Sequence, residues 1–245
     1  MNQVGKRAVR LGRARGARTL AAFLYGVALM AAVGAPLRAD DNVATAYGSD
    51  VNHTPLFNTI SYRSDDVSTF RKWTDMLERY RRETATELVC ANGTACARTG
   101  QPTPWRAIID DLRTYSGKAQ LEATQAIFNR VSYEDDDRNF GVNDYWASPG
   151  EFLARGGDCE DYAIAKFLAL IELGWPKDQV RLVTLNDVAE KVAHAVVVVY
   201  LPDGPWVLDS RRKRLELAKN FTDYRPLFSL TERAWWYHVA LGNAS

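Results

Sequence analysis

The chain has 245 residues, of which 47% are hydrophobic, 25% charged and 11% aromatic. That composition excludes a disordered, collagen-like or coiled-coil protein and suits one domain, or two small ones, with a real core. The formal charge of +1 hides a basic head, since residues 1–39 hold Lys6, Arg7, Arg10, Arg13, Arg15, Arg18 and Arg38 and no acid.

An apolar run from Leu20 to Pro36 follows most of these cations and ends in small residues, the pattern of a secretory signal peptide. Cleavage after Leu37-Arg38-Ala39 fits best, because Pro36 would directly follow the competing Val33-Gly34-Ala35 site. The alternative is an uncleaved anchor, but the run falls short of the ~20 residues that span a bilayer comfortably. Removing residues 1–39 leaves 206 residues, 40–245, read as a single exported domain. These carry 24 Lys+Arg against 30 Asp+Glu, a net of −6, so nucleic acid is not an expected partner.

In chain order, residues 40–66 are polar and turn-rich and read as an irregular arm. From Ser68 onward Phe70, Trp73, Met76, Leu77 and Tyr80 recur at three- and four-residue steps, which predicts a helix. Cys90 and Cys96 flank an Asn-Gly turn and could close a small disulfide, and residues 91–104 read as loop. Helices are expected over Trp105–Tyr115 and Lys118–Val131. Residues 132–150 are acidic and aromatic. Ser148-Pro149 then opens a short helix, and Gly156-Gly157 ends it.

Asp158 is a natural N-cap for the next helix, whose apolar face (Ala163, Ile164, Phe167, Leu168, Ile171) runs until Gly174. After it the period becomes strand-like at 180–185, at His194–Leu201 and at Trp206–Asp209, with a closing strand over Trp235–Val239. Helices first and a meandering sheet afterwards make an α+β domain.

Cys159 enters the first turn of the helix that Asp158 opens, where free N–H groups and the dipole favour a thiolate. A lone cysteine there is more often a small core residue. His194 leads one apolar strand and Asp209 ends the returning one, giving the order nucleophile, base, orienter. His53 in the arm and His238 among aromatics have no comparable companions. Strict pairing about a turn at Asp203-Gly204 sets Asp209 opposite Val198 rather than His194, so a wider loop or a bulge is required. The Trp146 indole N–H is a candidate second oxyanion donor beside the Cys159 amide; a plain buried aromatic is the alternative.

The run His194-Ala195-Val196 through Tyr200-Leu201-Pro202-Asp203-Gly204-Pro205-Trp206-Val207-Leu208-Asp209 resembles the His and Asp strands of papain- and transglutaminase-related cysteine enzymes. Asp144-Tyr145-Trp146 with Pro149 and Glu151-Phe152-Leu153, then Gly156-Gly157-Asp158-Cys159-Glu160-Asp161-Tyr162-Ala163-Ile164-Ala165-Lys166, is narrower. It resembles the bacterial transglutaminase-like cysteine proteinases over roughly 126–209, with Ser210 standing where that pattern has Asn.

The resemblance implies a papain/transglutaminase-like core, N-terminal helices packed on an antiparallel sheet, and a Cys159-His194-Asp209 peptidase. It implies a periplasmic enzyme that cuts a large repeat adhesin near its N-terminus and so releases cells from a biofilm. It also implies control by an inner-membrane cyclic-di-GMP receptor and dependence on calcium, which maps onto Asp158, Glu160 and Asp161. Three carboxylates at one helix start can supply hard oxygen ligands, though they can equally satisfy the dipole. The acidic run Glu134-Asp135-Asp136-Asp137 is a second candidate. Two readings of other classes remain at this point: a transglutaminase-type acyl transferase, and a non-catalytic calcium-binding interaction domain.

Overall fold

The computed structural model describes residues 55–85, 88–89, 95–96 and 103–241. The signal-peptide segment, its cleavage site, His53 and the expected Cys90–Cys96 bridge lie outside the described residues. No helix among the described residues is long and apolar enough to cross a membrane.

Among the described residues, six α-helices lie between the first strand and the rest of the main sheet: α1 (Arg71–Ala85), α2 (Pro104–Leu112), α3 (Gly117–Phe128), α4 (Asp136–Asn139), α5 (Pro149–Arg155) and α6 (Cys159–Glu172). Helix α1 buries Trp73, Met76 and Leu77, the three- and four-residue spacing of one helical face. At α5, Ser148 Oγ accepts from Glu151 N, and Glu151 Oε2 accepts from Ser148 N at 2.8 Å, a reciprocal cap. Helix α6 is apolar nearly all round, and every residue from Glu160 to Leu170 is buried. Such a helix must be enclosed by other elements.

The strands are β1 (Thr59–Ser64), β2 (Leu88–Val89), β3 (Ala95–Cys96), β4 (Val180–Asp187), β5 (Val192–Leu201), β6 (Gly204–Leu208), β7 (Glu216–Leu217), β8 (Tyr224–Leu230) and β9 (Trp235–Ala240). Seven of them form an antiparallel sheet in the order β1-β9-β8-β4-β5-β6-β7. Alternate residues divide the interior in two. Val180, Leu182, Ala195, Val197 and Val199 join the helices, with α6 lying on β4 and β5. Val183, Leu185, Val196 and Val198 meet Leu56, Phe57, Phe221 and Tyr224 on the opposite face.

Three segments depart from the sequence reading. Residues 59–64 belong to no irregular arm: they are β1, at the edge of the described sheet and paired along its length with β9. Their mixed pattern reflects two half-exposed faces rather than one buried face. The strand at Trp235 is therefore internal, between β1 and β8. Strand β8 was hidden by Pro226, which lacks a ladder donor. Pro226 sits beside a register shift in the β4 pairing and outside the stretch that pairs with β9. Finally, β2 and β3 pair their backbones, Leu88 opposite Cys96, within and just before the stretch read as loop.

Candidate active site

The glycine pair ahead of Cys159 is dictated by crowding. Gly156 has φ +81°, and a Cβ there would lie 2.5 Å from Ser132 O. A Cβ on Gly157 would lie 2.2 Å from Asp161 Oδ2. The bare backbone lets residues 132–134 run against Gly157, with Glu134 N donating to Gly157 O at 3.0 Å. This contact delivers the acidic run 134–137 to the head of α6.

Cys159 starts α6 half-buried, its Sγ 3.0 Å from Glu160 Oε2. The local expectation of a lowered thiol pKa is overturned. Burial pushes the thiol well up, and the charges of Glu160 and Asp158 add to that; the Ala195 N–H opposes it. The favourable helix start is outweighed here by burial of the thiol and then by the two adjacent carboxylates. The Ala195 amide also places the sulfur against β5, one residue from His194.

His194 is buried, with Nε2 2.8 Å from Asp209 Oδ1 and its ring edge-on to Tyr224 at 6.0 Å. Asp209 is buried too, and its Oδ2 accepts from Tyr224 OH at 2.6 Å while Oδ1 also accepts from Arg211 N at 2.8 Å. Burial alone would raise this carboxyl; the bonds from His194, Tyr224 and Arg211 outweigh it and hold it at about 2. An ionised carboxylate only accepts, so Nε2 carries the hydrogen and the Nδ1 lone pair is free. That Nδ1 is buried and has no partner within the protein.

The hairpin register explains how Asp209 reaches His194. Leu201 pairs with Gly204 and Val197 with Leu208, so the turn residues are Pro202 and Asp203. Asp209 thus emerges two positions further along β5 than a turn at Asp203-Gly204 allows, and no bulge is needed. His194 is then the diagonal neighbour on the same face, within reach of two polar side chains. Helix α3 and the residue after it fix the Asp209 backbone: Gln125 Oε1 accepts its N–H at 2.8 Å and Asn129 Nδ2 donates to its carbonyl at 3.2 Å. Tyr224, Gln125 and Asn129 escaped the sequence reading, since nothing in their spacing marks them.

The two acidic candidates are one cluster. Ligand atoms of Asp136, Asp144 and Glu160 lie within 4.8 Å of one another, as do those of Asp136, Asp158 and Asp161. Oδ1 of Asp136, of Asp144 and of Asp158 is buried without a hydrogen-bond partner. Burial first, then neighbouring carboxylates, pushes Asp158 and Asp161 far above the carboxylate range; burial chiefly lifts Glu160, to about 7. Orphaned oxygens and mutually raised acids are what a hard cation would relieve. Asp161 differs from the others, because its oxygens already accept Ala147 N at 2.7 Å and Asp158 N at 3.2 Å. Asp144 also pairs with Lys72, and nothing in its local sequence marks it as a cation ligand.

Trp146 lies in the same stretch, buried, edge-on to Trp73 at 6.3 Å, its carbonyl held by Arg79 and its indole Nε1 without an acceptor. His238 is a satisfied core residue: Nδ1 is 3.0 Å from Thr59 Oγ1 and Nε2 3.0 Å from Ser229 Oγ. Burial, then the Arg181 charge, holds it down at about 3.

A family model described as bacterial transglutaminase-like cysteine proteinase matches residues 96–242. Among solved structures, Legionella pneumophila LapG is 36% identical over 54% of this chain and 75% of its own, with a TM-score of 0.49. The calcium-bound form of that protein is 30% identical, covers 68% of this chain and 93% of its own, and has a TM-score of 0.50. No curated protein matches the chain.

Proposed function

The chain belongs to the bacterial transglutaminase-like cysteine proteinases and is a cysteine peptidase; from that premise we propose a calcium-dependent periplasmic endopeptidase with Cys159, His194 and Asp209 as its triad. Its substrate is a large repeat adhesin, cut near the N-terminus so that cells leave a biofilm. An inner-membrane cyclic-di-GMP receptor sequesters the enzyme. The basic and apolar head of residues 1–39 supports export, and the family resemblance supports the substrate and receptor.

One observation carries the catalytic reading: His194 gives Nε2 to Asp209 and keeps a buried, unpartnered Nδ1, while Cys159 lies against the next residue of the same strand. Nδ1 takes the thiol proton, and the Cys159 thiolate attacks the peptide carbonyl. The imidazolium then protonates the leaving amine and, as imidazole, activates the water that hydrolyses the thioester. The Cys159 N–H, at the open start of α6, serves the oxyanion. Asp209 holds the ring and stabilises its charged form.

Calcium would be held by Asp136, Asp144, Asp158 and Glu160, with Asp161 bracing the backbone between Ala147 and Asp158. When bound, it supplies positive charge that offsets the carboxylates now raising the Cys159 thiol. The test incubates the chain with an N-terminal adhesin fragment, with calcium or with a chelator, beside Cys159→Ala. Discrete cleavage that needs both calcium and Cys159 is expected. Cleavage unaffected by chelation would remove the calcium dependence, and cleavage by Cys159→Ala would remove the nucleophile.

A further inference from the structure

Helix α1 meets residues 144–151, the stretch that leads into α5, through three charged side chains. Lys72 pairs with Asp144 Oδ2. Arg79 donates to the Trp146 carbonyl and lies 3.2 Å from Glu151 Oε2. Glu83 accepts from Ser148 Oγ and, at 3.2 Å, from Gly150 N. The Arg79 and Glu83 contacts brace the backbone and the capped start of α5. The Lys72 contact instead lands on a carboxylate assigned above to calcium, and neither catalysis nor capping uses it. Asp144 Oδ1 is buried without a partner, and ligand atoms of Asp136 and Glu160 lie within 4.8 Å. The Asp144 side chain is 13% exposed and that of Lys72 48%, so the ammonium approaches the cluster from solvent. Its root is fixed, because Trp73 next to it is fully buried and donates Nε1 to Thr231 O at 3.0 Å.

We propose that Lys72 is a built-in counter-cation of the calcium site: without calcium its ammonium holds Asp144, and the ion must take that carboxylate against it. Lys72 thereby sets the calcium concentration at which the site fills. The assignment rests on the calcium reading given above and concerns how that same site is regulated. Carboxylates gathered at the head of α6 repel one another, and an ammonium beside them relieves part of that repulsion. The same ammonium repels a divalent ion that enters among them. One contact therefore stabilises the calcium-free chain and weakens calcium binding. The half-exposed stem lets the ammonium turn into water once the ion holds Asp144, at little cost for so exposed a pair.

The experiment measures calcium binding by calorimetry in the full chain as wild type, Lys72→Met, Lys72→Gln and Lys72→Arg. In both neutral variants the Kd should fall about tenfold, the scale on which a unit charge a few ångströms away acts on a divalent ion in water. Lys72→Arg keeps the charge and should bind as wild type does. Lys177→Met, which removes the same charge from the pair with Glu232, should also leave the Kd unchanged. Lys72→Met should melt below wild type in chelator and no lower than wild type in saturating calcium. An unchanged or weaker Kd in both neutral variants overturns the proposal and leaves the calcium reading standing. An equal gain in Lys177→Met overturns it too, since net charge would then be the cause. Melting below wild type in both conditions makes Lys72 a structural residue and has the same consequence. If neither wild type nor the neutral variants bind calcium, the calcium reading fails and this assignment falls with it.

Discussion

Asp209 and the acids at the head of α6 are all carboxylates in largely buried settings, and their surroundings drive them in opposite directions. Both oxygens of Asp209 accept hydrogen bonds, from His194, Tyr224 and the Arg211 amide, and the group is held at about 2. Asp136, Asp144 and Asp158 each keep an orphaned oxygen, and Asp158, Glu160 and Asp161 are pushed up. Burial alone does not decide whether a carboxylate is an anion; the supply of donors does. The first setting is completed by the protein. The second leaves oxygens that a hard cation would satisfy.

The sharpest way to break this contrast is to remove the incomplete set. Asp158→Ala or Glu160→Ala should abolish both cleavage and calcium binding, read by calorimetry, while circular dichroism stays nearly native. In wild type, calcium at 100 times its Kd should add about 2.7 kcal/mol of stability. Asp209→Asn should retain that gain in full.

A smaller effect is expected at the completed set. Asp209→Asn should keep the fold and a Cys159 that iodoacetamide labels, yet lose kcat/KM by about 10²-fold. That is less than the ~10⁴-fold cost of the matching change in a serine protease, because a thiolate–imidazolium pair leans less on its third member. Unchanged kcat/KM would make Asp209 a strand cap.

Tyr224→Phe trims one donor and should cost about 2 kcal/mol, as for a hydrogen bond to a charged group. Asp209 is depressed, so its contribution is present above the ordinary carboxylate pKa and is lost as pH falls towards about 2. Tyr224→Phe lifts Asp209 back towards 4, so acid unfolding, followed by fluorescence, should begin at higher pH. The smallest effect belongs to the raised acids. Glu160 is lifted to about 7, so between pH 4.5 and 7 the folded, calcium-free chain holds a proton that the unfolded chain releases. Its stability therefore falls as pH rises through that window. The melting gap between calcium-loaded and chelated protein should be wider at pH 8 than at pH 5; an equal gap would separate the cluster from calcium.

What the sequence determined by itself was whatever rests on local spacing. The helix starts at Ser148-Pro149 and Asp158, the glycine stop at 156–157 and the strands around His194 and Trp206 all follow from caps, turns and periodicity, and the structure places them there. The Gly-Gly-Asp-Cys-Glu-Asp-Tyr motif carried the family for the same reason. Tertiary structure decided what depends on residues far apart in the chain. Strand β1 is a strand only because β9 lies beside it, and Pro226 is tolerated only beside a register shift. The Cys159 thiol looked activated from its helix position, but burial together with the nearby charges of Glu160 and Asp158 reverses that, since electrostatics follow distance through space. The two acidic runs became one cluster through the close approach at Gly157. The Asp209 donors, Tyr224 and the Arg211 amide, assemble only when β6, its following loop and β8 meet. Sequence separation says nothing of such contacts, because side-chain chemistry is local while packing is not.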